Sequence, residues 1–207
     1  MTRLILIRHG ETDYTLQKRY CGFSDPPLNN RGREQAKALA GRFKADRIDV
    51  VYSSDLERAL RTAEKVFAGR SVRRSANFRE VNFGIFEGMK YEEIVEKYPE
   101  LYNRWLENPA ECKIPRGETL KVLEERVNAG LLSILSKHEG KIVAVVTHCG
   151  PIRVVLSGIM GLAPSKFWDI SQRTAAVNII DFAEGAAPAV VKINDISHLF
   201  SVKGAVS

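Results

Sequence analysis

The chain has 207 residues, of which 44% are hydrophobic and 27% are charged, as in a typical soluble globular domain. This composition disfavours a disordered chain, and no apolar run approaches the roughly 20 residues that a membrane-spanning helix needs. The net charge is +6, but lysines and arginines are scattered and no nucleic-acid-binding motif accompanies them, so we expect a small anionic ligand rather than nucleic acid or a membrane.

Apolar patterning predicts an alternation of strands and helices. The predicted elements, in chain order, are a strand over 4–7, a helix over 31–45, a strand over 48–53, a helix over 56–67, a short strand over 72–75, two short helices between 91 and 107, a helix over 119–137, a strand over 142–147, a helix opened by Pro151, and a hairpin of strands over 175–182 and 189–193. Strand–helix–strand order implies a parallel sheet. We therefore expect an α/β fold, a three-layer αβα sandwich with a mixed, mostly parallel sheet, formed by one domain over 1–207.

Cysteine usage and the N-terminus bear on the cellular compartment. Cys21, Cys112 and Cys149 form an odd set without a Cys-x-x-Cys spacing, which argues against a disulfide framework and a structural zinc site. The N-terminus runs directly into a strand pattern and lacks the features of a signal peptide. We therefore expect a cytoplasmic protein with reduced thiols.

Two of the predicted strands lead into histidines. The strand over 4–7 precedes Arg8 and His9, and the strand over 142–147 precedes His148, just ahead of a predicted helix start. Ligands of open α/β sheets bind at the carboxyl ends of the strands. Arg58 lies near the first turn of its helix and faces the same edge. The sequence therefore predicts that these four side chains converge.

This combination of side chains suits a phosphate group. Guanidinium groups bind phosphate oxygens bidentately, and an imidazole can act as a nucleophile. Phosphoryl transfer needs mainly positioning and charge stabilisation, which this cluster supplies without a metal or another cofactor. A metal site built from the histidines is disfavoured because arginines saturate the region.

Five short blocks extend this pattern over nearly the whole chain. They are Arg8-His9-Gly10-Glu11-Thr12, Cys21-Gly22 with Asp25, Ser53-Ser54-Asp55 with Arg58, Arg79-Glu80 with Glu87-Gly88, and Thr147-His148 with Gly150. In this order and spacing they resemble the histidine phosphatase superfamily, in its phosphoglycerate mutase-like branch. The fold that this resemblance implies agrees with the predicted elements.

The resemblance implies a catalytic role for five residues. His9 is expected to be the nucleophile that becomes phosphohistidine, with a neutral ring whose other nitrogen donates to a backbone carbonyl. Arg8, Arg58 and His148 are expected to bind the phosphoryl oxygens. Glu80 matches the proton donor, which must be protonated at the start and then acts as a base toward water.

Further substrate-binding positions follow from the same resemblance. They are Thr15, Cys21, Gly22 and Cys149, beside Arg8 and Arg58. Thr15 stands where the family commonly has an asparagine that binds phosphate, and its shorter side chain supplies a single hydroxyl donor. Cys149 replaces a more usual glycine, which matters little if the backbone amide makes the contact.

The substrate is the least determined feature. The segment over 81–118 is shorter than the corresponding insertion of the mutases, which favours hydrolysis, and we expect it to form a lid that selects the leaving group. Its aromatic residues either stack on a nucleoside base or pack the lid onto the domain. The blocks at 82–88 and 115–119 resemble α-ribazole phosphatases, so α-ribazole 5′-phosphate is the favoured substrate.

Other functions stay open at this point. They are a broad-specificity phosphatase, a cofactor-dependent phosphoglycerate mutase, and a non-catalytic phosphoester-binding protein. The last is disfavoured by the intact set of expected catalytic residues. The sequence leaves the oligomeric state undecided, a homodimer included.

Overall fold

The structure is a computed structural model that describes residues 1–200, apart from the side chains of residues 164 and 165. Residues 201–207, the end of the domain expected from the sequence, lie outside the described residues. The strands are β1 (Thr2–Arg8), β2 (Val50–Ser53), β3 (Val72–Arg74), β4 (Ile142–Thr147), β5 (Val177–Phe182) and β6 (Ala189–Asp195). The helices are α1 (Asp13–Leu16), α2 (Asn30–Arg42), α3 (Glu57–Val66), α4 (Tyr91–Lys97), α5 (Pro99–Glu107), α6 (Leu120–Lys137) and α7 (Cys149–Met160).

Within residues 1–200, six strands form one sheet in the order β3-β2-β4-β1-β5-β6. The neighbours among β1 to β4 pair in parallel, whereas β5 and β6 are antiparallel additions at one edge. β1 and β4 lie side by side, with Arg8 opposite Thr147. This register brings the strand ends that carry His9 and His148 next to each other. The predicted α/β fold with a mixed, mostly parallel sheet is confirmed.

Alternate residues of the central strands face two apolar cores, because successive side chains of a strand point to opposite faces of the sheet. Leu4 and Leu6 of β1 belong to a core shared with α6 and α7. Ile5 and Ile7 belong to a core shared with α2 and α3. Helices therefore cover both faces of the sheet and produce the three layers. In the described part of the chain, no helix is long and apolar enough to cross a membrane.

The short helix α1 was not predicted, the starts of α2, α3 and α6 differ from the prediction by one residue, and that of α7 differs by two. Helix α7 begins at Cys149, two residues before Pro151, and His148 in extended conformation is its N-cap. Proline is tolerated there because the first amides of a helix have no partner within the helix. The earlier start matters for the site, since it places the Gly150 amide in the first turn of α7.

The segment over residues 81–118 packs its aromatic residues into the core beside α6 and α7. Phe86 and Trp105 are almost fully buried there, and Tyr102 is 6% exposed. These rings therefore pack the segment onto the domain, which is the second of the two interpretations given above. The role of the segment as a lid stays a prediction.

Candidate active site

His9 follows β1 directly and is 2% exposed. Its Nδ1 lies 2.7 Å from the carbonyl oxygen of Gly10. A carbonyl oxygen only accepts hydrogen bonds, so Nδ1 carries the proton and Nε2 keeps its lone pair. The backbone of His9 is held on both sides, by the carbonyl of Thr147 at 2.9 Å and the amide of Ala175 at 3.0 Å. The hydrogen bond between the ring and a backbone carbonyl that the sequence analysis expects is present, and the role of His9 as the nucleophile stays a prediction.

His148, at the end of β4, is fully buried, and its ring centroid lies 5.0 Å from that of His9. Its Nε2 lies 2.9 Å from the hydroxyl oxygen of Ser54. That oxygen accepts a hydrogen bond from the amide of Leu56, so its own proton can be donated to Nε2 and the ring proton then resides on Nδ1. Nδ1 is buried and has no hydrogen-bond partner among residues 1–200. In the tautomer that carries its proton on Nδ1, this atom is a donor available to a ligand.

The guanidinium groups of Arg8 and Arg58 are held by backbone carbonyls. Arg8 donates to the carbonyl of Gln172 at 2.5 Å. Arg58 is fully buried and donates to the carbonyls of Gly22 and Ser24, each at 2.7 Å. In both residues Nε is buried without a hydrogen-bond partner in the described structure. Arg58 also pairs with Asp25 at 3.4 Å, and its contacts engage both of its Nη atoms, so its Nε–H is the group left for a ligand. On Arg8 the contact with Gln172 engages Nη1, and the buried Nε–H is available as well.

The two arginines and the burial of the site determine the charge of the imidazoles. Burial lowers the pKa of His9 well below its usual range, and the charges of Arg58 and Arg8 lower it further. Burial, followed by the charge of Arg58, also lowers the pKa of His148. Both rings are therefore neutral at pH 7, and the positive charge beside them belongs to the guanidinium groups. The site is complementary to an anion and contains a neutral imidazole at His9.

Glu80 is 7% exposed and lines the same cavity as His9. Its Oε1 accepts hydrogen bonds from the amides of Val81 and Gly150, each at 2.9 Å. Because Oε1 faces two donors, the proton of the acid form resides on Oε2. A Cβ atom at position 150 would lie 2.2 Å from Oε1, so any other residue there requires the Glu80 carboxyl group to move.

A cavity of about 480 Å³ connects Arg8, His9 and Glu80. The rest of its wall carries three cations, Lys18, Arg19 and Arg153, and three aromatic rings, Tyr20, Phe83 and Trp168. Phe83 is the one residue of the described segment 81–118 that lines the cavity. The segment thus contributes a single ring to the cavity wall, and the other groups come from the loop after α1 and from α7 and the turn behind it. Its role in selecting the leaving group stays a prediction.

Thr15 lines the cavity, but its hydroxyl is engaged in the cap of helix α1. Its Oγ1 donates to the carbonyl of Thr12 at 2.9 Å and accepts from the amide of Thr12 at 2.9 Å. A hydroxyl has one proton, so the predicted contact with phosphate requires Thr15 to leave this arrangement.

The other predicted substrate-binding residues, Cys21, Gly22 and Cys149, differ in how they relate to the cavity. Cys21 lines the cavity, and burial raises the pKa of its thiol to about 11. The amide of Gly22 donates to Glu87 at 3.1 Å and its carbonyl accepts from Arg58, so both backbone groups are engaged within the protein. Cys149 is the first residue of α7, and burial raises the pKa of its thiol. The contacts of these residues with substrate stay predictions.

Two supporting side chains were not assigned a role from the sequence. The carboxylate of Glu87 accepts hydrogen bonds from four backbone amides, those of Gly22, Phe23, Ser24 and Phe83. It thereby fixes the loop whose carbonyls hold Arg58. Glu87 belongs to the sequence block Arg79-Glu80 with Glu87-Gly88, and this membership is the feature of the sequence that could have indicated its role.

Arg126 on α6 supports Glu80. It donates to the carbonyls of Arg79 and Glu80, at 2.7 and 2.8 Å, and forms an ion pair with Glu118 at 2.6 Å. It lies 46 residues from Glu80 along the chain, and nothing in the local sequence indicates this contact. Across the part of the chain that is described, no group of three or more side chains could hold a metal ion.

Comparison with known proteins decides the family. Residues 4–196 match the model of the histidine phosphatase superfamily, branch 1. The chain belongs to this superfamily. Phosphoserine phosphatase 1 of Hydrogenobacter thermophilus is 34% identical over 201 residues, which cover 96% of this chain and 95% of that protein.

Solved structures agree with this assignment. A phosphoserine phosphatase variant from Entamoeba histolytica, in complex with phosphoserine, has a TM-score of 0.87 and 28% identity over 96% of this chain and all of that chain. The α-ribazole phosphatase from Shigella flexneri has a TM-score of 0.84 and 27% identity over 93% of this chain and 96% of that chain. The protein is a phosphatase of the histidine phosphatase superfamily.

Proposed function

We propose that this phosphatase hydrolyses small phosphomonoesters through a phosphohistidine formed on His9. One observation carries the proposal. Each of Arg8, Arg58 and His148 has one buried nitrogen atom without a partner in the described residues, the two arginines act electrostatically on His9, and the ring of His148 lies 5.0 Å from that of His9. Three such donors suit the oxygens of a phosphoryl group that is attacked by His9 Nε2.

In the first half-reaction, Nε2 of His9 forms a bond to phosphorus while the bond from phosphorus to the ester oxygen breaks. The proton on Oε2 of Glu80 goes to the leaving oxygen, which departs as an alcohol. Glu80 is then a carboxylate, and Arg8 and Arg58 balance the charge of the phosphohistidine. The hydrogen bond from His9 Nδ1 to Gly10 keeps the ring oriented throughout.

In the second half-reaction, Glu80 removes a proton from a water molecule. The oxygen of that water attacks phosphorus, the bond to Nε2 breaks, and inorganic phosphate leaves. Glu80 regains its proton and His9 its lone pair, so both groups return to their starting forms.

The cavity suits a leaving group that carries its own negative charge. Arg153 is held by the carbonyls of Trp168 and Ile170, which are neutral and leave its charge available. Arg19 is held by the carbonyl of Gly88 and has Glu93 at 3.4 Å. With Lys18 these cations favour a carboxylate next to the phosphoester, as in phosphoserine. The 34% identity to a phosphoserine phosphatase of Hydrogenobacter thermophilus supports phosphoserine as the substrate.

α-Ribazole 5′-phosphate, the substrate favoured by the sequence, is the second candidate. Tyr20, Phe83 and Trp168 on the cavity wall offer aromatic faces to a nucleoside base. The likeness to the α-ribazole phosphatase structure supports it.

A panel of phosphomonoesters tests these proposals. Values of kcat/KM are measured for phosphoserine, 3-phosphoglycerate, α-ribazole 5′-phosphate and a sugar phosphate, with His9→Ala and Arg153→Met variants. We expect phosphoserine to exceed the sugar phosphate by about tenfold or more, and Arg153→Met to remove that advantage. Equal rates on all substrates would indicate a broad-specificity enzyme, and a His9→Ala variant with wild-type activity would refute the phosphohistidine.

Two further measurements address the remaining alternatives. Conversion of 3-phosphoglycerate to its isomer in the presence of 2,3-bisphosphoglycerate would indicate a mutase. We expect activity to be retained in excess chelator, because the arginines supply the charge that a metal would otherwise provide.

A further inference from the structure

A buried pair of amide side chains lies behind Arg8. Gln172 and Asn178 are 5% and 0% exposed, and their amides bond reciprocally. Nε2 of Gln172 donates to Oδ1 of Asn178, and Nδ2 of Asn178 donates to Oε1 of Gln172, both at 2.9 Å. The mechanism proposed above assigns neither side chain a role.

Backbone groups fix the orientation of both amides. The amide of Asn194 donates to Oδ1 of Asn178 at 2.8 Å, and the carbonyl of Leu6 accepts from Nδ2 at 3.3 Å. A flipped Asn178 would direct its NH₂ group at a donor and its oxygen at an acceptor, so one orientation is possible. The orientation of Gln172 follows from that of Asn178.

The pair fixes the position of the carbonyl group to which Arg8 donates. Gln172 accepts a hydrogen bond from Arg8 Nη1 at 2.5 Å through its backbone oxygen, while its side chain is held by Asn178 on β5. Three residues further along, Ala175 donates to the carbonyl of His9, and Ala176 accepts from the amide of Arg8. Ala175 and Ala176 thus bond to the backbone of His9 and Arg8, whereas the Gln172 carbonyl bonds to the guanidinium of Arg8.

We propose that Gln172 and Asn178 are positioning residues, which act through the Gln172 carbonyl to aim the free Nε of Arg8 at the substrate phosphate. This inference rests on the proposed function, because it requires Arg8 to bind phosphate. A small shift of the Gln172 backbone rotates the guanidinium about its anchored Nη1. Phosphate binding is then lost before the fold is lost.

A double-mutant cycle between Gln172→Met and Arg8→Met tests the proposal. Methionine matches the length of glutamine but cannot form the reciprocal hydrogen bonds. The readouts are the inhibition constant of inorganic phosphate and the KM and kcat for p-nitrophenyl phosphate, at a temperature well below the melting temperature of every variant. We expect Gln172→Met to weaken phosphate binding about tenfold in the wild-type background and by less than about twofold in the Arg8→Met background.

Arg3→Met provides a matched control. Arg3 joins β1 to β5 through an ion pair with Asp181 at 2.7 Å, five residues before Arg8 and thus roughly 16 Å away along the strand. We expect this variant to melt at a lower temperature and to bind phosphate as the wild type does. Gln172→Glu, which keeps the side-chain length and one acceptor, takes the place of Gln172→Met in the cycle if the latter does not fold.

The outcomes separate this inference from the proposed function. An equal loss of phosphate affinity in both backgrounds would show that Gln172 does not act through Arg8 and would overturn the inference. Wild-type phosphate binding in Gln172→Met would overturn it as well. If Arg8→Met alone left both phosphate binding and turnover unchanged, the phosphate role of Arg8 in the proposed function would fail first.

Discussion

Gly150→Ala is the substitution that tests the role of Glu80 with the least change to the site. The new Cβ atom would lie 2.2 Å from Oε1 of Glu80 and 3.0 Å from a methyl group of Val81. Ordinary contact begins at 3.4 Å, so Oε1 must move by about 1.2 Å, and its hydrogen bond to the Gly150 amide breaks. A displacement of about 1 Å of a catalytic group typically costs about 100-fold in rate.

The expected loss depends on the leaving group. An alkyl phosphate such as phosphoserine needs a proton on its departing oxygen, so we expect kcat/KM to fall by about 100-fold. p-Nitrophenolate leaves without a proton, so the loss on p-nitrophenyl phosphate should be about tenfold smaller. The assay is the ratio of kcat/KM for these two substrates, for the wild type and the variant.

Gly158→Ala is the matched control, because it lies on the same helix α7 and its added Cβ meets no atom within 4 Å. We expect this variant to keep wild-type rates on both substrates and to be slightly more stable, since alanine favours helix. Equal losses on both substrates in Gly150→Ala would contradict the assignment of Glu80 as the proton donor. An undiminished rate on phosphoserine would contradict the contact geometry itself.

Three further predictions follow from the same site. Burial lowers the pKa values of His9 and His148, so NMR titration should find both rings neutral at pH 6.5. Below that pH the unfolded chain binds more protons than the folded chain does. The free energy of unfolding should therefore fall as the pH is lowered from 6.5. A stability that rises on acidification would refute this sign. Because the pKa of Cys21 is raised to about 11, mass spectrometry should show little alkylation of Cys21 by iodoacetamide at pH 7, and rapid labelling would show that the thiol is ionised. Glu87→Gln directs an NH₂ group at two of the four amides that Glu87 binds, so thermal denaturation should show a free energy of unfolding lower by about 1–3 kcal/mol. Phosphate binding should weaken as well, because the loop that Glu87 holds carries the carbonyls that bind Arg58. An unchanged melting temperature would contradict the role of Glu87 in holding this loop.

The sheet and the positions of the main site residues could be predicted because the signals are local. The β-branched runs before His9 and His148 mark buried strands, and parallel strands in one sheet share their carboxyl edge. These features need no knowledge of distant contacts. The register of β1 against β4 could not be predicted in this way, because both strands are buried on both faces and a shift by one residue would leave the apolar pattern unchanged.

The supporting contacts could not be predicted because they join residues far apart in sequence. Arg126 reaches the Glu80 carbonyl from α6, and Gln172 reaches Arg8 across 164 positions. Residue type gave no guidance either, since a buried glutamine and a surface glutamine look the same in the sequence. The start of α7 was misplaced for a related reason, because proline is compatible with any position in the first turn and not with the first alone.

The burial of Arg58 also determines how the free enzyme responds to its own product. The guanidinium is 0% exposed and is held by neutral carbonyls and by one carboxylate, that of Asp25 at 3.4 Å, so a further anion would offset part of the desolvation penalty of this buried charge. A ligand at 100 times its dissociation constant stabilises the native state by about 2.7 kcal/mol. We therefore expect inorganic phosphate both to inhibit and to stabilise this protein, so a phosphate buffer would suit its storage but not the measurement of initial rates.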